Sequence, residues 1–142
     1  MNLESLGSRL VEHMPDALIV ADAEGIIRFW NTGAERIFGF ASGEAIGRSL
    51  DLITPENLRA RHWAGYRRTM QTGETRYGAG DLLSVPAIRK DGRRISVQFS
   101  ILPLKAAGGG LDGIAAIMRD VTADFEERKL LRQELSRAAR TE

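Results

Sequence analysis

The feature that most constrains this chain is a strict alternation in its second half. Ile95, Val97, Phe99 and Ile101 alternate with Ser96, Gln98 and Ser100. That period of two belongs to a strand with one buried face and one wetter face. Strand-like runs stand before and after it, Tyr77 to Ile88 and Leu111 to Val121, with the alternating strand itself spanning Arg94 to Leu104. Lys90-Asp91-Gly92 and Gly108-Gly109-Gly110 separate the three runs. Such residues turn a chain back within a few positions. A parallel crossover needs a dozen residues or more, so these connections predict antiparallel neighbours.

The first half adds two more strands and most of the helices. Leu3, Leu6, Leu10 and Met14 recur at helical spacing, and Pro15 stops that helix at or before Met14. Ala17 to Ala21 and Ile26 to Trp30 flank Asp22-Ala23-Glu24-Gly25, which reads as a hairpin. Asn31 and Thr32 are suited to cap a helix carrying Ala34, Ile37 and Phe38, with Gly39 as its stop. A one-turn helix follows from Ser42 and ends at Gly47. Thr54-Pro55-Glu56 starts a longer helix, Glu56 to about Gln71, and Gly73 closes it. From Asp124 to Arg140 nothing breaks a helix, and its apolar set is Phe125, Leu130, Leu131 and Leu135. The sum is an α+β chain: a five-stranded antiparallel sheet with helices on one face, flanked by a helix at each end. Residues 1–14 form the N-terminal amphipathic helix, 15–122 the central domain and 123–142 the C-terminal linker helix.

Composition removes several function classes. There is no cysteine, so disulfides, thiolate metal sites and cysteine nucleophiles are excluded. Twenty basic residues against 19 acidic ones leave a net charge of +1, which gives no electrostatic footprint for nucleic acid or anionic membrane. No run approaches the length of a membrane span, and a cytoplasmic location is expected. Ser96 and Ser100 lack a readable histidine and acid partnership, and Gly78-Ala79-Gly80 lacks the context of a phosphate loop. No carboxylate sits at ligand spacing with His13. No catalytic constellation is readable in the chain.

The turn residues carry a resemblance. Met14-Pro15-Asp16-Ala17, Asp22 to Gly25, Asn31, Ala34-Glu35-Arg36-Ile37-Phe38-Gly39, Glu44, Ile46-Gly47, Lys90-Asp91-Gly92 and Arg119-Asp120-Val121-Thr122 together resemble the PAS fold. Each motif also has a plain structural role. Glu35 and Arg36 read as a solvated face, and Asp120 and Thr122 as partners for backbone donors before the last helix. A PAS domain folds its sheet around a central cavity, so its chemistry depends on what points inward.

On the Glu56–Gln71 helix, Leu58, His62, Tyr66 and Met70 form an i, i+4 stripe. A lone histidine on such a stripe is ordinarily a packed residue, but a neutral imidazole is also a good axial ligand for haem iron. Ile53 to Tyr66 resembles the haem-PAS sensors of the FixL oxygen-sensor kinase and direct oxygen sensor phosphodiesterase type, and His62 falls where their proximal histidine sits. The distal side departs from that pattern. Leu83 replaces an arginine, Asp81 replaces a methionine, and Phe99 and Ile101 match apolar positions.

The resemblance thus implies haem b held by His62, a diatomic gas or redox signal, and an output domain, as in two-component systems, reached through the last helix. A homodimer is expected through the N-terminal helix and the sheet. The chain reads as an excised domain. Alternatives from other classes are a cofactor-free interaction module and a haem or flavin redox enzyme, for which Asp81 is the one distal acid or base; the cavity could also take a small organic ligand or a flavin, on which Trp30 or Trp63 would stack.

Overall fold

A computed structural model describes residues 1–75 and 83–141. In chain order the elements are α1 (Leu6–His13), β1 (Ala17–Asp22), β2 (Ile27–Trp30), α2 (Thr32–Phe38) and α3 (Ser42–Ala45). Two 3-10 turns follow, Leu50–Ile53 and Glu56–Leu58, then α4 (Arg59–Thr72), β3 (Leu83–Ile88), β4 (Arg94–Lys105), β5 (Leu111–Asp120) and α5 (Thr122–Thr141). The five strands form one antiparallel sheet in the order β2-β1-β5-β4-β3. The first strand in sequence therefore lies beside the last, and the segment from α2 to α4 links the two edge strands, β2 and β3.

Register fixes which residues face the helices. Ile19 pairs with Ala116, which pairs with Ile101; Ala17 pairs with Met118, which pairs with Phe99, which pairs with Leu83. Residues of that parity build the core with Trp30, Ile37, Phe38, Ile53 and Tyr66. Trp30 and Phe38 are essentially fully buried. Each contributes about 1.5–3 kcal/mol by leaving water. Trp30 is thus a core residue, tied by its indole N–H to the Phe40 carbonyl at 2.9 Å.

Among the described residues, one polar side chain lies inside this core. Asn31 is fully buried, and all its hydrogen-bonding capacity is used. Its Oδ1 accepts from the amides of Leu18 and Ala34, and its Nδ2 donates to the carbonyls of Val11 and Asp16. It therefore caps α2 and also joins α1 to β1. Gly33, the second residue of α2, has no room for a side chain, because a Cβ there would sit 2.1 Å from the Asp16 carbonyl oxygen.

Several expected elements shift. The N-terminal helix spans Leu6–His13, so Leu3 and Met14 fall outside it. The strand expected from Tyr77 is described from Leu83, and Tyr77, Asp81 and Leu82 lie outside the described residues. The Glu56–Gln71 helix is split. The Leu58 amide donates to the Pro55 carbonyl three residues back, which tightens the first turn into a 3-10 turn. Leu58 is therefore not on α4, and the stripe keeps only His62, Tyr66 and Met70 on that helix. Glu35 and Arg36 are more than a solvated face: Glu35 accepts from the Ser42 amide, and Arg36 donates to the Pro15 carbonyl.

The α5 junction is as the sequence suggests. Asp120 accepts from the Thr122 amide, and the Thr122 hydroxyl oxygen accepts from the Ser96 amide at 3.0 Å. The last helix is thereby pinned to β4.

Candidate functional site

His62, Trp63 and Tyr66 form one aromatic cluster on α4. The His62 ring lies 4.8 Å from Trp63 and 5.8 Å from Tyr66 between ring centres. The two neighbours are fastened to other elements. Trp63 Nε1 donates to the Asp51 carboxylate at 2.7 Å, and the Tyr66 hydroxyl donates to the Asp22 carbonyl. Gly25 makes the docking possible. It sits at φ +80°, and a Cβ there would meet the Trp63 ring at 2.2 Å. The turn between β1 and β2 is itself held rigid, since the Asp22 carboxylate accepts from the amides of Glu24 and Ile26 and from Arg28.

His62 itself is not satisfied. Its Nδ1 is buried and has no hydrogen-bond partner among the described residues. Burial disfavours the imidazolium and pushes its pKa below the ordinary 6.5, against a smaller upward pull from the Asp51 charge. The side chain is thus held as a neutral base. Burial also raises the Tyr66 phenol, helped by the Asp22 and Glu24 charges, so it stays protonated as a donor.

Across the core, the sheet presents an apolar floor. Leu83 and Phe99 are paired neighbours on β3 and β4, and Phe99, Ile101, Met118 and Met70 are partly buried against the core. Leu83, Phe99 and Ile101 therefore share one face of the sheet. Asp81 lies outside the described residues. Two open clefts, of about 540 and 640 Å³, lie elsewhere. One runs between Pro55–Asn57 and the β3–β4 turn, and the other lies under α5. His62 lines neither of these two clefts.

Sequence reasoning missed Asp51 and Met118. Asp51 lies 12 residues before Trp63, with a 3-10 turn between, and no periodicity spans that gap. Met118 was readable in principle, since it shares the parity of the buried Ile114 and Ala116 on β5.

Residues 11–124 match the family model described as the PAS fold. The chain belongs to the PAS family. It is 33% identical over 125 residues to the sensor protein FixL of Bradyrhizobium diazoefficiens, covering 87% of this chain and 24% of that protein. It is 26% identical over 124 residues to the oxygen sensor protein DosP of Escherichia coli, covering 87% of this chain and 15% of DosP. The chain thus spans a quarter or less of these relatives. A solved light-oxygen-voltage domain studied with a flavin analogue superposes with a TM-score of 0.65 at 19% identity, covering 93% of this chain and 96% of that one. This last likeness concerns the fold. The chain is a PAS sensory module related to FixL and DosP, and no helix among its described residues is long and apolar enough to cross a membrane.

Proposed function

We propose that this PAS domain holds haem b through His62 and reports a diatomic gas or the redox state to an output domain. The observation that carries the proposal is the buried His62 Nδ1 without a partner. A buried polar nitrogen left unpaired costs about 1–3 kcal/mol, so its retention calls for a use. An axial histidine is such a use: one ring nitrogen binds iron while the other finds an acceptor that fixes the ring. The donor fits the group in being neutral and nitrogenous, and the core it neighbours through Tyr66 also holds the apolar side chains of Phe99 and Ile101. Haem supplies an iron centre that binds small gases and changes oxidation state.

The chain's own residues supply the rest. Trp63 and Tyr66 set the position of α4 through Asp51 and Asp22, so a displacement of His62 loads both contacts. On the sheet, β4 carries the apolar floor at Phe99 and Ile101. The same strand meets the start of α5 through Ser96 and Thr122, which offers a short route from the site to the last helix. The output domain lies beyond α5, and the module is a cytoplasmic, non-enzymatic sensor. Two copies pair through α1, which buries none of its residues, and through the outer sheet face, where Leu102 and Ile117 are exposed.

A second reading is a cofactor-free interaction module or a flavin binder. It is favoured by the closed packing of Trp63 over Gly25 and by the likeness to a light-oxygen-voltage domain. The absorption spectrum of the purified protein, made with haem precursor and flavin both present, separates these. The haem proposal expects a Soret band near one haem per chain. A flavin spectrum, or none in the visible, contradicts it.

A further inference from the structure

The cleft under α5 has a chemistry of its own. Its floor is the outer face of the sheet: Ser84 and Gln98 are paired across β3 and β4, one position out of step with the Leu83–Phe99 pair, and so point to the other side. Its roof is one face of α5, on which Phe125, Arg128, Lys129 and Arg132 recur at helical spacing. The space between is about 640 Å³. Small-molecule sites occupy roughly 300–1,000 Å³.

Charge on α5 is sorted by face. By helical spacing, Glu127 and Glu134 fall on the side of the helix away from Arg132. Among the described residues that line the cleft, Asp124 is the one acid, set against three cations. Asp124 lies one turn before Arg128 yet makes no ion pair with it, and among the described residues no carboxylate stands within ion-pair distance of Arg128, Lys129 or Arg132. Arg128 and Arg132 are spaced i, i+4, and Lys129 and Arg132 i, i+3, at which like charges repel. An anion held between helix and sheet relieves that repulsion and gains charge-assisted hydrogen bonds. Phe125 is 49% exposed beside these cations, so its ring is open to stacking. The Ser84 hydroxyl and the Gln98 amide offer both donors and acceptors on the floor. Walls on two sides suit a small molecule better than a broad partner surface.

We propose that this cleft binds a small aromatic phosphate, of the chemical class of a nucleoside diphosphate. Its phosphates lie against Arg128, Lys129 and Arg132, and its ring against Phe125. The site is independent of what His62 holds. A ligand there touches both α5 and the β3–β4 floor, and so ties the last helix to the sheet.

Isothermal titration of the full chain with ADP, inorganic pyrophosphate and adenosine separates charge from ring. ADP is expected to bind with a Kd below about 1 mM, and the other two at least about tenfold more weakly. Arg128→Glu/Arg132→Glu should weaken ADP at least about tenfold. Arg137→Glu, on the same helix but off the cleft, should match the wild type. These positions are exposed, and circular dichroism checks that each variant keeps its fold. In nuclear magnetic resonance spectra of the wild type, ADP should shift the amides of Ser84 and Gln98 as well as those of α5. A wild type that binds no ADP overturns the inference. So does pyrophosphate binding as tight as ADP, an equal loss in Arg137→Glu, or shifts confined to α5, since each reduces the site to unspecific attraction of anions by a cationic helix.

Discussion

At the scale of single residues, burial decides what His62 can do. Its folded pKa lies below the ordinary 6.5, with desolvation as the main cause and the Asp51 charge opposing it. Between those two values the folded state binds fewer protons than the unfolded chain, so stability rises with pH across that window. It is lost as pH falls below about 6.5 toward the folded pKa. Replacing His62 with Gln removes the titrating group, and denaturant titrations at pH 7.5 and 5.5 should then differ less than in the wild type. An unchanged pH dependence in His62→Gln would show that other groups set it. In the proposed haem site, Leu83 on β3 would offer no donor to a bound gas. Leu83→Arg should gain a charge-assisted hydrogen bond to oxygen worth about 1.5–3 kcal/mol, raising oxygen affinity relative to carbon monoxide by roughly ten- to hundredfold. Equal ratios in the two haem-loaded proteins would place the donor elsewhere. The i, i+4 stripe led to His62 and Tyr66 because spacing along one helix is visible in a sequence. The contacts that hold them were not visible. Asp51 and the Asp22 carbonyl come from separate turns, and nothing in the local pattern says which turn meets α4.

At the scale of elements, punctuation residues made the fold readable. Gly39 and Gly73 end α2 and α4 in left-handed conformations, as their positions suggested. Lys90-Asp91-Gly92 turns β3 into β4, with the Asp91 carboxylate accepting from the Arg93 amide at 2.9 Å. Where local signals competed, boundaries moved. Pro55 begins a 3-10 turn before α4 instead of the first turn of one helix, which takes Leu58 off the stripe. The two end helices are the elements with most apolar surface to spare. Leu3 and Leu10 near α1 are 71% and 59% exposed, and Leu130, Leu131 and Leu135 on α5 are between 52% and 71% exposed. An isolated helix as short as α1 has little stability of its own, so it needs a partner surface. Removing residues 1–13 should shift the proposed dimer toward monomer in sedimentation velocity. That truncation also deletes the Val11 carbonyl that Asn31 uses, so the double variant Leu3→Glu/Leu10→Glu is the cleaner form. A dimer that persists in both proteins would put the interface on α5 or the sheet alone.

At the scale of the whole molecule, the sheet order brings distant segments to one place. Asp16 and Arg119 form an ion pair at 3.0 Å although 103 residues separate them, because β1 lies beside β5. The pairing of β5 with β4, and of β4 with β3, likewise puts Met118 in one row with Phe99 and Leu83. Alternation along β4 foretold an antiparallel sheet, but the order of strands within it follows from the helical crossing between β2 and β3, which no local pattern states. Membership of the PAS family, with relatives named as sensors, accounts for the fold and for the module's place in signalling. The haem assignment stands on His62 alone, so the most direct measurement removes that ring and returns it from solution. His62→Gly protein, checked for fold by circular dichroism, is mixed with haem with and without free imidazole. The account predicts that the variant lacks the wild-type Soret band, and that imidazole at millimolar concentration restores it. A variant that keeps the wild-type spectrum without imidazole would contradict the assignment.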